Sequence, residues 1–229
     1  MRFSSFIITG FFLLLSDLSY SQTFLQTNFG LKSHETLLIN KIELSSSGVR
    51  FYMSIENRIT NGSFCADKNI YIVYPSGTRS LLSSSEGIPV CPDVHKFNAP
   101  GEKLDFILTF PPLKPGTKWI DLIEDCPDNC FSFYGITLDN DLNRKIDEAF
   151  YLEENDEPVK AMITLIDLAE DADKQDLGIE GSLYINIIRL ARLNGNDVKA
   201  KQWYARMKSS EAPRLQQYIK YLNDQGIKY

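Results

Sequence analysis

The chain is predicted to be an α+β protein of two parts, an antiparallel β-sandwich followed by all-α helical hairpins. Three observations carry this. Apolar residues alternate with period two up to about Asp139, they recur with helical period from Asp141 onward, and turn-forming residues punctuate only the first part at short intervals. The expected division is a leader over 1–21, a sandwich over 22–139 and a helical domain over 140–229.

The leader comes first in the chain. Arg2 supplies a positive start, Phe6 to Leu15 an apolar run, and Ser19-Tyr20-Ser21 small residues before Gln22. That is the layout of a secretory signal, too short to span a bilayer with Asp17 close behind. The first cysteine is Cys65, so no thiol stands at the cleavage point to take a lipid anchor. An exported protein is expected, periplasmic or extracellular, with no membrane span.

Period-two alternation then sets the strands. Phe51, Met53 and Ile55 alternate with Tyr52 and Ser54; Leu104, Phe106, Leu108 and Phe110 alternate with Asp105, Ile107 and Thr109. Each set turns one face inward, as a half-buried strand requires. Further strands are expected at Thr36–Leu44, Ile70–Tyr74, Trp119–Glu124 and Phe131–Leu138. The turns between them are Ser45-Ser46-Ser47-Gly48, Asn61-Gly62, Pro75-Ser76-Gly77, Pro100-Gly101 and Pro115-Gly116. Many short strands without an intervening helix favour an Ig-like sandwich, with Trp119, Phe131, Phe133 and Tyr134 in its core or rim.

Helices are expected at about 141–154, 157–173, 180–193, 196–208 and 212–224. Pro158 and Pro213 fit first turns, where the missing N–H costs nothing. Tyr184 to Met207 reads as two short antiparallel helices. Tyr184, Ile187, Ile188 and Ala191 form one apolar stripe, Gly195 closes the first helix, and Val198, Ala200, Trp203, Tyr204 and Met207 follow in the second. Tyr184, Ile187, Ala191, Gly195, Ala200 and Tyr204 are therefore the packing positions. Arg189, Arg192 and Lys199, lying between them, are the candidate binding surface.

Charge is divided unevenly. Residues 147–180 hold twelve acidic and two basic side chains, whereas 181–229 hold three acidic and nine basic. Two solvated faces attracting each other across a helix pair, or a surface orienting a charged partner, both fit this split. The net charge of −6 argues against a nucleic-acid binder.

Candidate chemistry is sparse. Four cysteines in an exported chain predict two disulfides; Cys126 and Cys130 bracket a turn, which leaves Cys65 with Cys91, although two other pairings are possible. Cys126-Pro127-Asp128-Asn129-Cys130 is also the nearest approach to a redox motif, but three residues intervene where redox centres carry two. His34 and His95 have no Gly-x-Ser-x-Gly partner and read as surface residues. Asp121, Glu124, Asp125 and Asp128 cluster on one strand and its loop, where carboxylates commonly face solvent. Asn61-Gly62-Ser63 matches a glycosylation sequon and is read as a turn. No catalytic residue, metal site or cofactor is expected.

In the helical part Tyr184, Ile187, Ile188, Ala191, Gly195, Ala200, Tyr204 and Met207 fall at consensus spacings, and the part resembles tetratricopeptide (TPR)-type repeats. Ile188 stands where that motif has a small residue and Ala191 where it has an aromatic one. Phe110-Pro111-Pro112-Leu113, Trp119 to Glu124 and Phe131 to Ile136 resemble an accessory β-sandwich module of exported proteins of Gram-negative envelopes. The resemblances imply a non-enzymatic protein-binding or assembly module whose partner is another envelope protein or a peptide. Two alternatives stand beside it: a redox or enzyme-associated accessory protein using Cys126 and Cys130, and a carbohydrate-binding module stacking sugars on Tyr52, Tyr71 or Trp119.

Overall fold

The computed structural model describes residues 21–25, 27–172 and 176–229. The expected leader lies outside the described residues except for Ser21, which opens the first strand. Twelve strands precede five helices among the described residues, so the chain is α+β.

Two five-stranded antiparallel sheets are formed. The first runs, in spatial order, β1 (Ser21–Leu25), β3 (Leu37–Ser45), β4 (Gly48–Glu56), β10 (Lys103–Phe110) and β8 (Ser84–Glu86). The second runs β2 (Leu31–Lys32), β12 (Ser132–Thr137), β11 (Trp119–Glu124), β6 (Ile70–Val73) and β7 (Arg79–Leu81). A two-stranded ribbon pairs β5 (Ser63–Phe64) with β9 (His95–Lys96). The sheets close on one core, because Ile42, Phe51, Met53 and Leu108 of the first and Ile70, Ile72, Leu122 and Phe133 of the second belong to a single buried cluster. Along β4, Val49, Phe51, Met53 and Ile55 are all buried, the pattern expected from period-two alternation.

The strand that positions the rest is β12. Its register against β11 moves from Ile120↔Ile136 to Leu122↔Phe133, so three residues of β12 span two of β11. This is a β-bulge with Gly135 at φ +63°, a conformation that glycine takes without a Cβ penalty. The bulge turns the Gly135 N–H away from the ladder.

The helices are α1 (Asn140–Glu154), α2 (Pro158–Ala172), α3 (Glu180–Leu193), α4 (Asp197–Ser209) and α5 (Leu215–Asp224). Asp139 caps α1, its carboxylate accepting the N–H groups of Asp141 and Leu142. Gly195, at φ +69°, closes α3 in a Schellman arrangement: its N–H donates to Arg192 O, and that of Asn196 to Ala191 O. Asn196 then caps α4 through Lys199 N–H. Helices α1 to α4 pack in succession, α5 packs on α3, and the helices share a second core that includes Tyr184, Ile187, Ala191, Ala200 and Tyr204.

One helix start differs from expectation. Pro213 lies before α5, which begins at Leu215 behind Arg214 at φ +60°. A left-handed arginine breaks the helical path, and its side chain leaves toward the sheet.

Candidate functional site

Three places in the molecule gather side chains that sequence alone does not bring together: the seam between sheets and helices, a groove between α3 and α5, and a cleft at one end of the sandwich.

The seam is built around an acid in a strand. Asp121 lies on the face of β11 opposite Ile120 and Leu122, which enter the sandwich core, and it is 3 % exposed. Its Oδ1 accepts the N–H that the bulge frees at Gly135, 2.8 Å away, and its Oδ2 is paired with the Arg214 guanidinium from beyond α4. That guanidinium also lies 4.6 Å from the Tyr134 ring centroid and 5.8 Å from that of Trp119. Burial lowers the pKa of the Arg214 guanidinium. Such a pair is held by geometry, since either charge alone would be stranded in a low dielectric.

Four glycines let the layers meet. A Cβ at Gly178 would lie 2.3 Å from the Trp119 ring, and one at Gly135 would lie 2.2 Å from the Gly178 carbonyl. Tyr218 of α5, only 1 % exposed, fills the space left by Gly30 and Gly181, each of whose added Cβ would sit 2.1 Å from it. Trp119 Nε1–H donates to Asp176 Oδ1 at 2.9 Å. Glu180 at the start of α3 accepts the N–H groups of Leu177 and Gly178 on Oε1, at 2.6 and 3.2 Å. Its Oε2, Arg214 Nη1 and the Tyr218 hydroxyl are buried without a hydrogen-bond partner. Burial pushes the Glu180 carboxyl and the Tyr218 hydroxyl upward in pKa. A second polar knot lies nearby: Asn143 of α1 receives the Asn28 N–H at 2.9 Å and the Thr137 hydroxyl, while Asn28 Nδ2 reaches Asp147. Sheets and helices therefore form one body.

These contacts correct several expectations. Asp121 and Glu124 do not face solvent; Glu124 is buried, accepts the N–H groups of Asp67 and Phe131, and is raised in pKa by burial. Trp119 belongs to neither hydrophobic core and lies in the seam, so it offers no sugar platform. Tyr71 is buried too, and the half-buried Tyr52 ring is capped by Lys41 at 3.8 Å. Sequence reasoning missed Glu180, Arg214 and Tyr218. The available signal was an aspartate inside the apolar run Trp119-Ile120-Asp121-Leu122-Ile123, which calls for a buried partner.

The groove lies on the helical part. Arg189, Arg192, Leu193, Tyr221, Leu222 and Ile227 line a cavity of about 390 Å³ between α3 and α5. Leu193 is 65 % and Tyr221 42 % exposed there. Of the three expected surface cations, the groove gathers Arg189 and Arg192 but not Lys199. Arg189 is a correction: it is half-buried and forks onto Glu153 of α1 at 2.5 and 2.6 Å, which holds that carboxyl below its usual range. The opposed charges of the two halves of the helical part thus meet within the chain at this pair. Arg192 remains exposed at the groove mouth.

The four cysteines form two bonds, Cys65–Cys91 and Cys126–Cys130. Two disulfides point to a non-reducing compartment. The second bond sits in the β11–β12 connection and not at a helix N-terminus, so it lacks the helix dipole that depresses a redox thiolate. His34 Nδ1 lies 2.8 Å from its neighbour Ser33 Oγ, whereas His95 rests against Phe97 with Glu102 3.6 Å from its Nε2. No helix among the described residues is long and apolar enough to cross a membrane, and none of these residues gather as a metal-ligand cluster.

The cleft opens at the end of the sandwich where the sheets part. Leu44 at the end of β3, Leu113 in the β10–β11 connection and Leu138 after β12 line it, and its volume is about 600 Å³. No family model, no curated protein and no solved structure matches this chain.

Proposed function

We propose that the chain is an exported, non-enzymatic protein-binding or assembly module of a bacterial envelope, with TPR-like helical hairpins carried on an Ig-like sandwich. The observation that supports this reading is the α3–α5 groove. It exposes Leu193 and Tyr221 side by side with a guanidinium, a combination of apolar, aromatic and arginine surface enriched where proteins meet. The seam supports it as well, because a rigid sandwich would hold the groove in one orientation. The partner on this reading is a segment of another envelope protein, laying apolar side chains on Leu193 and Tyr221 and a carboxylate on Arg192. A photo-crosslinking amino acid placed at Tyr221 in the exporting cell tests it. A discrete adduct is expected from Tyr221, lost in Leu193→Glu, and none from the same probe at exposed Leu81 on β7. Identical adducts from both positions would refute the assignment.

A further inference from the structure

We propose that the cleft at the end of the sandwich is a binding site for a single-chain anionic amphiphile, the apolar chain lying between the sheets and the acid head on Lys114. The cleft is distinct from the α3–α5 groove and its argument is independent of it. Its volume of about 600 Å³ lies within the range of roughly 300–1,000 Å³ usual for small-molecule sites.

Its walls are apolar for a topological reason. Leu44 ends a strand of the first sheet, Leu138 follows a strand of the second, and Leu113 with Pro112 and Pro115 belongs to the connection between them. Leu138 is part of the sandwich core, and Leu44 and Leu113 are only partly buried against it. The core is thus continuous with the cleft, and an alkyl chain entering there would extend it and cover leucine surface now open to water.

Charge selects the head group. The chain as a whole carries −6, yet the described residues lining the cleft include two lysines and no carboxylate. Lys114 is exposed, lies 4.9 Å from the Tyr74 ring and forms no ion pair with a carboxylate among the described residues. An ammonium held by an aromatic ring at an apolar mouth favours a carboxylate or similar anion, whereas a cationic head would be repelled by it.

The test uses the delipidated full chain and dansyl-undecanoate, with decanoate, decylamine and decanol as competitors. Saturable dansyl enhancement at one site is expected, with decanoate displacing the probe well below the concentrations of decylamine or decanol required. Lys114→Glu should weaken binding by about ten-fold or more and Lys114→Arg should restore it, the sign expected for charge at a binding rim. Leu113→Gln should weaken probe and decanol alike. Because Lys114 and Leu113 lie in an exposed connection, an unchanged far-UV spectrum will show that these variants fold. Absence of saturable binding, equal competition by decylamine and decanoate, or an unchanged affinity in Lys114→Glu would each overturn the assignment.

Discussion

Residues at the seam are chosen by what they leave out. Gly178 has φ +74° and the Trp119 ring where a side chain would be, whereas Gly77 has φ +78° and nothing within 4 Å of an added Cβ. The two glycines separate backbone strain from crowding. Gly77→Ala should cost only the left-handed penalty, about 1–2 kcal/mol. Gly178→Ala adds overpacking and should cost about 2–5 kcal/mol in all. Urea denaturation of both variants measures the difference; equal losses would mean that Trp119 yields freely. Sequence marks Gly77 as a turn glycine and gives no sign of the demand on Gly178, because the ring that penalises a side chain there comes from a strand far away in the chain.

At the scale of elements, the entry into α3 couples stability to pH. Glu180 caps the Leu177 and Gly178 N–H groups from a buried position, and burial raises its pKa. The folded state then holds the proton more tightly than the unfolded chain, so its contribution to stability grows as pH falls from neutrality through the raised value. It levels off below the unfolded glutamate value of about 4.3. The Glu153 carboxyl, depressed first by its hydrogen bonds from Arg189, behaves oppositely, and its stabilisation is lost as pH falls through its lowered value. Subtracting Glu180→Gln from the parent isolates the first effect, since the amide oxygen can still accept both N–H groups. The melting temperature of the parent relative to the variant should rise between neutral and mildly acidic pH; a constant difference would refute the assignment. The helices were legible because the stripe Tyr184, Ile187, Ile188 and Ala191 and the glycine closing it are local signals. The α5 start was not, because Arg214 answers to a distant carboxylate and not to the preceding proline.

For the molecule as a whole, the Asp121–Arg214 pair joins sheet to helices. Arg214→Met leaves a buried carboxylate uncompensated and should destabilise by about 3–5 kcal/mol. Adding Asp121→Asn, which keeps an acceptor for the Gly135 N–H, should recover most of that loss. A double-mutant cycle by equilibrium denaturation gives the coupling directly, and a single-variant loss below about 1 kcal/mol would show that the pair does not tie the layers. Unfolding of Arg214→Met should also split into two transitions as the helical core loses its hold on the sandwich.

The sequence by itself determined the two periodicities, the strand and helix order they imply, the helix-closing glycine and the supply of four cysteines. Each of these depends on neighbours within a turn or a pleat, where side-chain direction follows from backbone geometry alone. Only the tertiary structure decided that Asp121 is buried, that Trp119 belongs to a seam, that Arg189 is spent on Glu153, and that an apolar cleft opens between the sheets. Those outcomes depend on contacts between residues as far apart as the 93 positions separating Asp121 from Arg214. Burial and pairing over such separations are set by how whole layers close on each other, and no local pattern encodes that closure.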